Sequence, residues 1–248
     1  MCTPESLRNE LMLSLEALQT DYADTYMLHR DDLRIETSDF VDWMNEFVKE
    51  GLIKSWGVSN WSYDRIRDAC DYANKSGLEQ ISATSPQLSL AVPKGLVWPT
   101  TTSVSCPSQV DELAHYKNMG IEVMGWESLA KGFMAVPDLW QEESLDKDFL
   151  NGPDAELGSS DWRLQRMQRA YCTRDNYERR KLASVIAEKA GLSLAQVALI
   201  YSLQKGEHIS VLVGADCFKH LDEMVDICNW KLDKEAYEKL ESISSPVV

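Results

Sequence analysis

The chain has 248 residues, 44% of them hydrophobic, enough for a sizeable core in one large α/β domain or two small ones. Its formal net charge of −15 argues against nucleic acid or an anionic membrane as partner, because both are held by basic surfaces. No apolar run approaches the roughly 20 residues of a membrane span, no secretory leader opens the chain, and the six cysteines are scattered with no Cys-x-x-Cys pair, so the expectation is a cytoplasmic protein with reduced thiols.

Thr3 and Pro4 predict a helix start, and Leu7, Leu11, Leu15 and Leu18 follow at helical spacing. Tyr22 to Leu28 reads as a short buried strand that delivers His29 at its C-terminal end. A polar loop leads to a helix from about Asp39 to Glu50, with Phe40, Trp43, Met44, Phe47 and Val48 on its buried side and Gly51 ending it. Ile53 to Val58 is a second strand, followed by Ser59 and Asn60. A helix from about Tyr63 to Asn74 stops near Gly77, and Ile81 to Thr84 is a third strand ending at Ser85.

The connection from Pro86 to Pro107 is long enough to be functional or mobile. A helix from about Ser108 to Met119 closes at Gly120, and Ile121 to Trp126 is a fourth strand. Leu129 to about Asp161 is irregular and reads as a partly ordered lid or insertion. A helix over Asp175 to Ala190 ends at Gly191. Ser193 and Gln196 form a capping box for the next helix, to about Leu203. Ile209 to Val213 is a fifth strand, leading into Gly214 and Ala215. Asp216 is the expected cap of a helix to about Ile227, and a last helix starts at Asp233.

Strands alternating with helices mean a parallel sheet with right-handed crossovers. In such sheets ligands bind at the C-terminal ends of the strands, which is where His29, Ser59, Asn60 and Ser85 fall. No strand is followed by a phosphate-binding glycine-rich loop, which argues against a Rossmann domain or a P-loop enzyme. No repeat or linker divides residues 1–248, so one domain is expected.

The run from Lys49 to Asn60, ending Gly57-Val58-Ser59-Asn60, resembles the segment that aldo-keto reductases carry after their fourth helix. Ser14 to His29 resembles the helix and strand that deliver that family's active-site histidine. Gly125-Trp126-Glu127-Ser128-Leu129-Ala130-Lys131-Gly132 resembles its seventh strand and loop. Ser193 to Tyr201 resembles its seventh helix, and Val211-Leu212-Val213-Gly214-Ala215 its eighth strand and cofactor loop. The matches keep the family's order and spacing over nearly the whole chain. The Trp98-Pro99 loop and the Ser85 to Leu90 run resemble a bacterial subgroup in which the reductase module often follows a separate sugar-type dehydrogenase module.

The resemblance implies a (β/α)8 barrel that transfers hydride between NADP(H), or NAD(H), and a small-molecule carbonyl or sugar-like substrate. His29 would sit beside the substrate carbonyl. Ser59 and Asn60 would hydrogen-bond the nicotinamide amide, with Ser85 where many members carry Gln. Trp126 would stack on the nicotinamide. Leu129, Lys131 and Gly132 would lie over the pyrophosphate. Gly214, Ala215, Asp216, His220 and Glu223 would hold the adenosine end. Each has a plainer reading: Trp126 as barrel core, Ser59-Asn60 as a helix cap, Lys131 as a solvated charge, Asp216 as an N-cap. The carboxylate of Asp216 fits a ribose hydroxyl better than a 2′-phosphate.

The same resemblance calls for an aspartate, a tyrosine that donates the proton, and a lysine, carried on the second and third strands. The five strands read here match the family's fourth to eighth. The Asp21–Tyr26 and Asp111–Tyr116 pairs have the right spacing but fall within a strand and on a helix. The expectation is therefore a partial barrel lacking its first three strands, impaired as an isolated chain and completed by a preceding or partner module. A non-catalytic binding or interaction module is the alternative. Loss of a positioned general acid costs roughly 10²- to 10⁴-fold in rate.

Overall fold

The computed structural model describes residues 2–95, 97–106, 110–136 and 162–243. The chain falls into two compact units. Unit 1 comprises Met1–Pro86, Thr100–Thr102 and His115–Val123; unit 2 comprises Gln87–Pro99, Ser103–Ala114 and Met124–Val248. The greater part of the predicted lid, residues 137–161, lies outside the described residues.

Unit 1 begins with α1 (Pro4–Leu18), whose Thr3 and Ser6 form a reciprocal capping box. Leu11 and Leu15 are buried; Leu18, predicted on the same stripe, is exposed in the last turn. The strands and helices then alternate as β1 (Ala23–Leu28), α2 (Thr37–Lys49), β2 (Ile53–Ser59), α3 (Tyr63–Ser76) and β3 (Ala83–Ser85). The pairing is parallel throughout, in the order β1-β2-β3, with Leu28 opposite Val58 and Ser59 opposite Ser85. The first half of β4 (Glu122–Gly125) adds to β3, with Ala83 opposite Glu122. The helices bury one face each: Phe40, Val41, Met44 and Phe47 on α2, Ile66, Ala69, Cys70 and Ala73 on α3. Phe40 meets Trp61 edge-on at 5.1 Å, and Trp56 is fully buried with its indole N–H donated to the Glu79 carbonyl at 3.1 Å. Gly77 stops α3 in the left-handed conformation, as its position predicted.

β1 has one strand neighbour among the described residues, β2. Its exposed residues carry polar pairings: Lys54 bridges to Asp24 at 2.6 Å, and the Thr25 and Ser55 hydroxyls lie 2.9 Å apart. Charged and hydroxylated side chains of this kind discourage an open strand edge from pairing with other chains.

Unit 2 contains α5 (Trp162–Tyr171), α6 (Arg174–Ala190), α7 (Leu194–Leu203), β5 (Ile209–Val211), α8 (Phe218–Val225) and α9 (Lys234–Glu241). Here Leu212 donates its N–H to the Gly125 carbonyl at 2.8 Å, tying the chain after β5 to the end of β4. Its core gathers Phe133, Met134, Met167, Tyr171, Ala183 and the apolar run Val197 to Tyr201. Buried Asn176 fastens the connection of residues 87–99 to this core. Its amide donates to Val92 O at 2.7 Å and Tyr171 O at 2.9 Å, and its carbonyl oxygen accepts from Val92 N at 2.9 Å. The Ser193–Gln196 capping box is formed as predicted. α8 is capped instead by Cys217, without a side-chain hydrogen bond, so Asp216 lies one residue before the cap. α5 went unpredicted, although Leu164, Met167 and Tyr171 stand at helical spacing. Among the described residues no single helix is long and apolar enough to cross a membrane, and no cluster of metal-ligating side chains occurs.

Gly57 marks where unit 1 tolerates least change. A β-carbon there would lie 2.3 Å from Met27 Sδ and 2.7 Å from the Ala83 carbonyl oxygen. The methionine can shift, but the neighbouring strand's backbone cannot. Gly57→Ala is therefore expected to destabilise the fold by about 1–3 kcal/mol, read as a lowered midpoint in urea unfolding.

Candidate functional site

The parallel register of unit 1 brings the first group of predicted residues to one edge. His29 follows Leu28 at the C-terminal end of β1 and is exposed, while Ser59 and Ser85 end the adjacent strands β2 and β3. The Ser85 carbonyl accepts two hydrogen bonds, from Ser59 Oγ at 2.8 Å and from Asn60 N at 3.2 Å. Asn60 Nδ2 donates to Ser59 Oγ at 2.8 Å, and Asn60 Oδ1 accepts from Thr102 N at 3.4 Å. Asn60 holds a left-handed backbone (φ 61°), a conformation Asn tolerates better than most side chains. Ser59 does not cap α3; Ser62 does, through Arg65 N. The plain capping reading of Ser59-Asn60 is thereby removed. The rejected spacing pairs stay rejected: Tyr26 is half-buried within β1, and Tyr116 is buried on α4 (Val110–Asn118) beside Tyr63.

The second group gathers in unit 2. Leu129, Lys131, Gly132, Gly214, Asp216, His220 and Glu223 line a single cleft of about 630 Å³, together with Glu127, Ser193, Gln196, Leu199 and Met224. That volume lies within the usual range for small-molecule sites. Ala215 is not on its wall. Trp126 is half-buried against the unit 2 core, and its carbonyl accepts from Leu88 N at 3.1 Å.

The charge on the wall is mixed. Among the described lining residues the carboxylates are Glu127, Asp216 and Glu223, and Lys131 is the one lysine or arginine. Lys131 is not a solvated charge: its ammonium lies 2.9 Å from Glu127 Oε2 and 4.8 Å from the centre of the Trp98 ring. The other Glu127 oxygen, Oε1, accepts from the Tyr171 hydroxyl at 2.7 Å. Tyr171 is fully buried, and burial, reinforced by the Glu127 carboxylate, pushes its hydroxyl well above the usual phenol range, so it stays a donor. A cleft of this size with apolar walls and scattered polar groups fits a nucleotide. Its carboxylates fit ribose hydroxyls, and no described arginine stands on the wall to meet a 2′-phosphate.

Three residues that organise this region were missed from sequence. Glu127 directly follows predicted Trp126, but nothing in its type or spacing announced a buried charge. Tyr171 lies on the unpredicted helix. Gln87 sits inside the long connection, fully buried; its carbonyl oxygen accepts from Ser103 Oγ at 2.6 Å and Ser105 Oγ at 2.7 Å, and its amide donates to Ser89 Oγ at 2.8 Å. The serine-rich composition of that connection was the visible trace.

With this geometry in hand, comparison with known proteins is informative. The model of the aldo/keto reductase family matches residues 2–245. The chain belongs to the aldo/keto reductase family. A curated relative from Glycine max, described as probable aldo-keto reductase 1, is 24% identical over 242 residues, covering 97% of this chain and 61% of its own length. A thermostable aldo-keto reductase solved with the inhibitor epalrestat superposes with a TM-score of 0.68 at 19% identity, over 98% of this chain and 67% of its own. An aldo/keto reductase from Klebsiella pneumoniae, solved with NADP and acetate, gives 0.64 at 19% identity, over 95% and 63%. The fold is thus the α/β, barrel-type fold of that family. This chain spans about three fifths of the Glycine max relative's length. The expected accompanying sugar-type dehydrogenase module finds no support in these matches.

The Ser59 hydroxyl both donates to Ser85 O and accepts from Asn60 Nδ2. Ser59→Ala would leave the buried Asn60 amide without that acceptor, at an expected cost of about 1–3 kcal/mol, measured by thermal unfolding.

Proposed function

We propose that residues 1–248 act as one aldo-keto-reductase-type domain that binds a nicotinamide dinucleotide and serves hydride transfer to or from a small carbonyl or sugar-like substrate. The observation that carries this reading is the cleft of unit 2. Seven residues on its wall, Leu129, Lys131, Gly132, Gly214, Asp216, His220 and Glu223, are among those the family resemblance assigns to the pyrophosphate and adenosine, drawn from two stretches more than eighty positions apart in sequence. When bound, the dinucleotide supplies the hydride. Leu129, Lys131 and Gly132 hold its diphosphate; Gly214, Asp216, His220 and Glu223, with neighbouring Ala215, hold its adenosine. The family resemblance assigns Ser59, Asn60, Ser85 and Trp126 to the nicotinamide and His29 to the substrate carbonyl. NADP(H) is the first expectation, in keeping with the Klebsiella pneumoniae reductase solved with NADP. NAD(H) is the second reading, favoured by the Asp216 and Glu223 carboxylates on the cleft wall.

The proton donor is the weak point of this chain's chemistry. The residues that directly follow β1, β2 and β3 are His29, Asn60 and Pro86, and no tyrosine stands among them. We read the chain as matching the family from its third helix onward, a partial barrel with β1 at an open edge. It then reduces carbonyls slowly unless a preceding or partner segment supplies the missing strands. The purified chain should quench its tryptophan fluorescence saturably with NADPH or NADH; binding of neither overturns the dinucleotide reading. In a carbonyl-reduction assay, turnover should fall roughly 10²- to 10⁴-fold short of an intact reductase. Turnover equal to that of an intact reductase refutes the missing donor.

A further inference from the structure

One wall of the cleft is held under strain by a charge that the cofactor reading does not use. Glu127, Ala130 and Lys131 all take left-handed backbone conformations (φ 57°, 51° and 55°) within five residues, and none is glycine. Such residues persist only where surrounding packing over-determines them, and they cluster at ligand clamps. Here the packing is visible: Ala130, Phe133 and Met134 are fully buried in the unit 2 core, and Tyr171 holds Glu127 Oε1 from below. The loop is thus fixed, and what it presents to the cleft is an ammonium already bound to a carboxylate.

We propose that Glu127 is the specificity-determining residue for anionic ligands in this cleft, a built-in counter-anion that a ligand's diphosphate must displace from Lys131. This rests on the dinucleotide reading of the same cleft. Lys131 Nζ and Glu127 Oε2 are 2.9 Å apart, with side chains only 17% and 10% exposed. A close pair so shielded from solvent presents almost no net charge to an incoming anion. A diphosphate therefore gains Lys131 only as Lys131 leaves Glu127. Tyr171 continues to donate to Glu127 Oε1 during that exchange, so the carboxylate released by Lys131 is not left without a partner. The Trp98 ring, 4.8 Å from the ammonium, offers Lys131 a second face to rest on as it moves. The consequence is a cleft that discriminates by the strength of the ligand's anion: a diphosphate competes with Glu127, while adenosine alone gains nothing from Lys131.

The test uses ADP and adenosine as probes, with isothermal titration calorimetry on the whole chain. Glu127→Gln keeps an acceptor for Tyr171 and frees Lys131. It should tighten ADP binding about tenfold, the scale of one charge-assisted contact, and leave adenosine unchanged. Lys131→Met should weaken ADP binding in the native background, because it leaves the Glu127 carboxylate unpaired beside the diphosphate, and should abolish the gain in the Glu127→Gln background. Glu188→Gln removes the same charge from an exposed position on α6 away from the cleft, and should give less than a threefold gain. Circular dichroism and thermal unfolding of each variant establish that it is folded before binding is read. If Glu127→Gln leaves ADP affinity unchanged or weaker, or if Glu188→Gln gives an equal gain, the role of Glu127 is overturned while the cleft stands. If neither the native chain nor any variant binds ADP or a nicotinamide dinucleotide, the dinucleotide reading falls, and this proposal with it.

Discussion

A buried carboxylate has to be answered from both of its oxygens, and in unit 2 that requirement shapes a whole wall. Glu127 takes Tyr171 on one oxygen and Lys131 on the other. Cutting either partner away from such a charge typically costs several kcal/mol, whereas the intact arrangement need contribute little net stability. Its worth is geometric. The tyrosine comes from α5 and the lysine from the 3₁₀ turn at Ala130–Gly132, so one carboxylate fixes the turn against the helix. That fixed turn carries Leu129, Lys131 and Gly132 onto the cleft.

Unit 1 solves a similar problem with backbone. Where β2 and β3 end together, the Ser85 carbonyl would face an edge with no further strand residue to pair it. It is taken instead by the Ser59 hydroxyl and the Asn60 amide. Asn60 itself takes a left-handed backbone directly after these two donors. The same three residues that finish the sheet are therefore the ones presented at its C-terminal edge. In parallel α/β folds this is the functional edge. The Ser59 and Asn60 side chains at this edge are thus already engaged in closing the end of the sheet.

Much of this was legible in the chain, and the parts that were not share a cause. Capping signals at Thr3, Ser193 and Gly77 located helix ends because a cap is a local contract between neighbours. The strand ending at Ser59 was legible as a short, mostly buried run between turn signals. The run before His29, read as a buried strand, is a strand whose Asp24 and Thr25 are exposed, and the third strand begins at Ala83 rather than Ile81. Asp216 misled because a capping side chain and a cleft-wall carboxylate look alike in sequence; the actual cap falls one residue later, at Cys217. Glu127, Tyr171 and Gln87 stayed hidden because each has a partner distant in sequence, 44 positions away for Glu127 and Tyr171 and 16 for Gln87 with Ser103. A charge run or a polar residue in a loop reads as solvated until its distant partners are known.

The position of β1 ties fold and chemistry together. A closed barrel leaves no strand with a single neighbour, because closure removes both edges. β1 has one neighbour among the described residues, and its exposed residues are dressed with Asp24, Lys54, Thr25 and Ser55 rather than packed apolar side chains. That dressing makes an edge tolerable to water. His29 follows this same strand directly and is exposed at its C-terminal end, the end at which parallel α/β folds place their ligands. An imidazole can orient a carbonyl from such a position.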